Sequence, residues 1–323
     1  MRKAAIATAL LVATAWATQA QAADKVRFAY TVQVHQANMM VLADYAKKYG
    51  VDLEPVPMRR YADQQLALMT NQVDVAVMGY VNIGLMQEKG FGDYHAIAGV
   101  FTGGQSLTLA KGVKATKWKD LEGLRIGTAP NSYVELLFKA SAELGGADLT
   151  KIHTVSFTAG GPPLLDALKN HQIDGFASWE PNNAAAEVGG FGYYSSLDLS
   201  ENPTHNVNGL LTVSADFLKS HRAAVLGVVR AAIDATNALN GDPGKFTEVA
   251  MKGTGSSLDV VKVAIPRGKL DYRLYSREAK ALMGMLHKAK LTQIDATPAV
   301  DQHFDYSLLE EATGKPKGQL GGE

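Results

Sequence analysis

Ala67-Leu-Met-Thr-Asn-Gln-Val-Asp74 returns 100 residues later as Ala167-Leu-Lys-Asn-His-Gln-Ile-Asp174. Ala67, Leu68, Gln72 and Asp74 recur unchanged, and Val73 has its equivalent in Ile173. Each copy joins a helical stretch (63–71, 163–170) to a short apolar strand (73–78, 173–177). Chance likeness between generic βαβ units is the plainer alternative, and the density of matches in so short a window argues against it. The period is too long for a stacked solenoid.

Working outward, the pattern widens on both sides. A strand over 25–30, a helix over 38–49 closed by Gly50, and a strand over 51–56 precede the first copy. A strand over 125–128, a helix over 131–144 closed by Gly145-Gly146, and a strand over 152–157 precede the second. Each half reads βαβαβ, the unit of an open parallel sheet. The remainder reads as helices over 214–239, 257–264, 276–290 and 299–310, then a Gly- and Lys-rich tail, 312–323, expected to be disordered. The fold class is α/β: two lobes, each a βαβαβ-based open sheet flanked by helices, with a helical C-terminal part.

Composition narrows the function. A length of 323 residues suits about two domains. Lys and Arg total 32, as do Asp and Glu, so no basic excess points to nucleic acid. The chain has no cysteine, which excludes disulfides, thiol nucleophiles and lipidation of an N-terminal Cys. Residues 1–22 combine Arg2 and Lys3, an apolar Ala-rich run, and Ala20-Gln-Ala22. That is the pattern of a secretory signal peptide cleaved after Ala22. The expected product is an exported, near-neutral periplasmic protein without membrane insertion, and a monomer.

In open α/β sheets ligands sit beyond the C-terminal strand ends, where helix N-termini also point. The loops there are 30–36, 58–63 and 79–84 in one half, and 128–133, 158–163 and 178–183 in the other. Tyr30, Tyr61, Tyr80, Tyr133 and Trp179 offer flat amphipathic surfaces. Arg59 and Arg60 suit an anion, and Glu180 suits a ligand N–H or O–H. Ser132 and Glu135 have capping-box spacing. Plainer roles stand beside these: solvation for Arg60, lobe-face packing for Tyr61 and Tyr133, core packing for Trp179. Asp74 and Asp174 read as turn or cap residues rather than catalytic acids. The sequence contains no HExxH, GxSxG or P-loop, and its 8 His form no HxH or HxxH pair. No catalytic residue, cofactor or metal is expected.

Three stretches carry a family resemblance: Gln64 to Gly79, Lys119-Asp-Leu-Glu-Gly-Leu-Arg-Ile-Gly127, and Gln172 to Pro181 with its Trp179-Glu180-Pro181 turn. Gly209 to Leu218 adds a fourth. The chain resembles periplasmic substrate-binding proteins of ABC importers, of the nitrate/sulfonate/taurine type, a group related in fold to thiamine-pyrimidine synthesis proteins. The resemblance implies a type II periplasmic binding fold with hinge crossings near 105–109 and 205–211. One lobe is then 23–106 with 208–311, and the other 107–207. Ligand positions carried over are Tyr30, Arg60, Tyr61, Gly79, Tyr80, Val81, Asn82, Gln105 and Ser106 on one side. On the other they are Pro130, Asn131, Ser132, Thr158, Ala159, Trp179 and Glu180. Tyrosines in the first and third loops depart from the family's small-residue loops and favour a larger organic ligand: a sulfonate, a carboxylate or a heteroaromatic compound. The implied function is ligand capture by lobe closure and delivery to an ABC permease and its ATPase subunit, with no chemistry done on the ligand. The alternatives are an exported enzyme using Glu180 and Glu135, a pyrimidine synthase that the signal peptide argues against, and a ligand-presenting sensor subunit.

Overall fold

The structure is a computed structural model that describes residues 24–158, 160–197, 199, 204 and 207–323. The expected signal peptide and Ala159 lie outside the described residues.

The first half opens with β1 (Asp24–Thr31), the short helices α1 (Ala37–Met40) and α2 (Leu42–Ala46), and β2 (Val51–Met58). Then come α3 (Tyr61–Met69), β3 (Val75–Gly79), α4 (Val81–Glu88) and β4 (Tyr94–Gly103). The second half runs β5 (Gln105–Ala110), β6 (Arg125–Thr128), α5 (Tyr133–Leu144), β7 (His153–Ser156) and α6 (Pro162–Lys169). It closes with β8 (Gly175–Trp179), α7 (Asn182–Val188) and β9 (Gly192–Tyr194). The chain returns as β10 (Val207–Ser214), followed by α8 (Ala215–Ser220), α9 (Arg222–Gly241), α10 (Pro243–Thr254) and α11 (Leu258–Ala264). Last are β11 (Gly268–Leu270), α12 (Ser276–Lys288), α13 (Thr297–His303) and α14 (Ser307–Thr313).

Two sheets result, with strand orders β11-β4-β10-β3-β1-β2 and β7-β6-β8-β5-β9. Each has a parallel trio, β2-β1-β3 or β7-β6-β8, and an antiparallel strand, β10 or β5, beside the third member. The chain leaves the six-stranded sheet at Gly103-Gly104 and rejoins it at β10. Gly103 and Gly104 have φ of 74° and 79°, and a Cβ on Gly104 would lie 2.5 Å from His35 Nδ1. Only glycine fits that crossing. All residues of β3 and β10 are buried, as befits central strands of a covered sheet.

The sequence repeat has a physical core. Asp74 accepts from the Arg27 main-chain N–H at 2.8 Å and from its guanidinium at 3.0 and 2.6 Å. Asp174 does the same for Arg125 at 2.8, 3.0 and 2.8 Å. In return the Arg27 and Arg125 carbonyls accept from the Asp74 and Asp174 N–H groups. Each pair pins the start of the third strand to the first, setting the register of that half. The aspartates are structural, as expected from their position before the strand.

Some expected elements differ. The helix over 38–49 is broken at Val41, with φ −105° and ψ 2°, and finishes as a 3-10 turn. The helix over 214–239 divides at His221, whose ring stacks on Phe217 at 4.4 Å and whose backbone is non-helical. The tail over 312–323, expected to be disordered, is ordered: Leu320 is buried and its carbonyl accepts from Leu274 N–H at 2.9 Å. One apolar anchor and main-chain pairing outweigh the polar composition around them.

Replacing Asp174 by Ala leaves the Arg125 main-chain N–H and Nε–H without their acceptor, while Nη2 keeps the His171 carbonyl at 2.8 Å. We expect a loss of ~1–3 kcal/mol in unfolding free energy by urea denaturation, and a similar loss for Asp74→Ala. The Arg125 hydrogen bonds hold the Asp174 carboxyl below its ordinary 3.8. Its stabilisation is therefore present above that value and lost as pH falls through the lowered one.

Candidate functional site

The C-terminal ends of both parallel trios face one cleft. It is lined from one side by Gln33, Arg59, Arg60, Tyr61, Ala62 and Asn82, and from the other by the 129–134 turn and Trp179. Gln105 and Asn208, on the two crossing strands, close its floor. The space between these walls is about 600 Å³, part of it open to solvent. A wider groove of about 1540 Å³, open to solvent, continues past Arg59 and Trp179 along Met58, Phe157, Thr158 and Pro163.

The floor is a closed hydrogen-bond network. Asn208 donates to Gly103 O at 3.1 Å and to Gln105 Oε1. Its Oδ1 accepts from the Tyr61 hydroxyl at 3.4 Å, which itself accepts from Gln36 Nε2 at 3.1 Å. The Tyr133 hydroxyl donates to Val207 O. Burial raises both phenols well above their ordinary 10, so they stay neutral donors at physiological pH. Gly79 lies behind the two rings; a Cβ there would meet Tyr61 at 3.0 Å and Tyr133 at 3.1 Å. With their hydroxyls engaged, the tyrosines present mainly ring surface to the cleft. Asn82 is likewise tied, accepting from Gly79 N–H at 2.9 Å and donating to Gln65 at 2.6 Å.

Two helix N-termini open onto the cleft. The first-turn N–H groups of a helix lack intrahelical acceptors. In α3, Asp63 and Gln64 find the Arg60 carbonyl, and Tyr61 and Ala62 border the cleft. In α5, Ser132 Oγ caps Glu135 N–H, and Tyr133 and Val134 border the cleft. Glu135 reaches back to Asn131 N–H at 2.6 Å, one residue earlier than the capping box requires, because Asn131 is left-handed at φ 56°. Arg60 pairs with Asp63 at 2.6 Å. Arg59 has no ion pair among the described residues and lines both cleft and groove. No carboxylate is among the described lining residues of either.

The cleft thus brings together Arg60, Tyr61, Asn82, Gln105, Pro130, Asn131, Ser132 and Trp179 of the expected residues, with Thr158 in the groove. Others are placed elsewhere. Tyr30 stacks on Phe28 at 5.6 Å, two residues back on the same strand face. Tyr80 points into the core, where its hydroxyl accepts from Tyr275 N–H and its ring meets Phe304 edge-on. Val81 is buried at the start of α4. Ser106 falls outside the lining because neighbouring strand residues face opposite ways and Gln105 takes the cleft. Glu180 is buried, accepting from Tyr194 hydroxyl at 2.6 Å and Ala184 N–H at 3.0 Å. Gln33 falls in the expected 30–36 loop without having been singled out, whereas Asn208 and Val134 lie outside the expected loops; Asn208 belongs to a crossing strand that carries no loop signature.

Residues 17–252 match the model of the NMT1-like family. The chain belongs to that family. None of the curated proteins matches this NMT1-like chain. Among solved structures, a ligand-binding component of an ABC-type import system from Staphylococcus aureus is 18% identical with a TM-score of 0.76, over 90% of this chain and 100% of that one. The periplasmic nitrate-binding protein NrtA from Synechocystis PCC 6803 is 14% identical with a TM-score of 0.77, over 92% and 90%. The alkanesulfonate-binding protein SsuA from Xanthomonas axonopodis pv. citri, bound to MOPS, is 16% identical with a TM-score of 0.69, over 88% and 98%. These establish the periplasmic binding protein fold for this NMT1-like chain. Among the described residues, no three His, Asp or Glu side chains converge as a metal site, and no helix is long and apolar enough to cross a membrane.

Burial pushes the Glu180 carboxyl up to about 7 against two hydrogen bonds and Arg267, which favour the charge. The folded state therefore holds this proton more tightly than the unfolded chain, whose value is near 4.5. The resulting stability is complete below that value and lost as pH rises towards 7. Glu180→Gln keeps both contacts, because Tyr194 hydroxyl can accept where it now donates. We expect its unfolding free energy to match the parent at pH 4 and exceed it at pH 8, on the order of 1–3 kcal/mol, by denaturation at both.

Proposed function

We propose that this protein is the periplasmic solute-binding component of an ABC import system and that it captures a small organic anion with a flat apolar body. The supporting observation is the make-up of the cleft: Arg59 and two helix N-termini, with the rings of Tyr61, Tyr133 and Trp179 and no carboxylate among the described lining residues. A helix terminus contributes roughly 0.3–1 kcal/mol towards an anion. A hydrogen bond to a charged group contributes about 1.5–3, and stacking on an aromatic ring about 1–3. Arg59 and the rings therefore dominate, which favours an organic anion over a bare inorganic one. The likeness to nitrate- and alkanesulfonate-binding structures agrees in the sign of the ligand's charge.

Capture proceeds by closure. The ligand first contacts one sheet unit, and the second unit then closes over it around Gly104 and Asn208. Contacts from both units favour the closed, loaded form, which docks on a membrane permease driven by its ATPase. The two carboxylates open to a hydrolytic role are engaged elsewhere: Glu180 with Tyr194, and Glu135 in holding the Asn131 turn.

A thermal-shift screen tests the ligand class, because stabilisation grows with ligand concentration over Kd. Aryl and alkyl sulfonates and carboxylates should raise the melting temperature; matched cationic amines should not. Stabilisation by the amines alone overturns the assignment. For the best binder, Arg59→Gln and Trp179→Ala should each weaken Kd by roughly tenfold to a hundredfold, read by titration calorimetry. Export is checked separately. Mass spectrometry of the periplasmic protein should find Ala23 as the first residue, and a chain still beginning at Met1 contradicts cleavage after Ala22.

A further inference from the structure

Arg267 lies outside the cleft and belongs to the six-stranded unit. It directly precedes β11, and its carbonyl accepts from Gly104 N–H at 2.9 Å. Its side chain reaches the other unit. The central guanidinium carbon is 3.6 Å from the centroid of the Tyr194 ring on β9. Its Nη2 is 3.9 Å from Glu187 Oε2 on α7. Tyr194 is itself fixed, pairing with Thr108 in the sheet and donating its hydroxyl to buried Glu180 at 2.6 Å. Beside this contact α11, from the six-stranded unit, packs on α7.

The ion pair is the weaker half. Both side chains are about two-fifths exposed, at 42% and 40%, and the separation is long. The guanidinium lying on the tyrosine ring is the closer contact, and its charge faces the ring's negative quadrupole. The main chain of Arg267 is held at the crossing through Gly104, and Glu180 N–H donates to Gly104 O from the other unit at 2.8 Å. Parting of the units therefore leaves the backbone near the pivot, while the side chain must release Tyr194 and Glu187.

We propose that Arg267 is a fastener between the two units: by lying on Tyr194 it stabilises their closed arrangement and so sets ligand affinity without touching the ligand. It is a positioning residue, and its effect on affinity rests on the cleft being a closing ligand clamp. Its effect on the distance between the units does not require a ligand to be known.

The chain has no cysteine, so Leu66→Cys and Leu144→Cys, both on exposed helix positions, give a clean dye pair across the units. Single-molecule energy transfer without ligand should show Arg267→Met shifted towards longer distances than the parent, and Arg267→Lys should restore part of the closed population. With the best binder from the screen, Arg267→Met should weaken Kd by about tenfold, mainly through faster dissociation. Glu187→Gln should move both readouts less than Arg267→Met. If Arg267→Met fails to fold, the comparison of Arg267→Lys with the parent decides. Distance distributions equal to the parent's in every folded Arg267 variant overturn the fastener. A shift in distance with no ligand found upholds the fastener while removing the organic-anion reading.

Discussion

The structure depends on two crossing strands lying side by side and being tied there. Asn208, on the returning strand, donates to Gly103 and Gln105 on the outgoing one. Beside that tie Glu180 N–H donates to Gly104 O across the same boundary, and α11 packs on α7. Gly103 and Gly104 permit the turn because their positive φ values carry no Cβ penalty. The cleft exists because the parallel trios on either side both end at this boundary.

The same constraint explains the character of the cleft. Polar groups at the boundary are buried, and each must find a partner or incur a desolvation penalty. Tyr61, Tyr133, Asn82 and Asn208 satisfy one another or the main chain. Around them the described lining adds Gln33, Arg59, Arg60, Asn131 and Ser132 to the ring surface and the first-turn N–H groups. Basic side chains and flat ring walls thus meet in one arrangement. Arg267 extends the logic beyond the cleft: its backbone is anchored at the crossing and its charge lies on the opposite unit.

Glu180 shows how a chemically suggestive residue is absorbed by structure. Next to Trp179 at a strand end, it looked suited to a ligand. Strand alternation and the start of α7 turn it inward, where Tyr194 and Ala184 hold it. Its raised proton affinity follows from burial, and by itself marks no catalytic acid.

Local pattern was enough to establish the doubled βαβαβ unit, the strand-end loops and Asp74 with Asp174, because hydrophobic periodicity and turn chemistry act over a few residues. Arg60, Tyr61, Asn82, Pro130, Asn131, Ser132 and Trp179 were legible for the same reason: each follows a strand end. Their placement within the cleft was not. Tyr80 and Tyr61 are the same residue type in equivalent loops, yet one ring enters the core and the other the cleft, since backbone direction at the helix start decides it. Arg27 and Arg125 repeat at a spacing slightly different from that of their aspartates, so their pairing appears only when the strands are adjacent. Asn208, Arg267 and the buried Leu320 took their roles from contacts with residues far away in the chain, and only the tertiary structure brings those partners within reach.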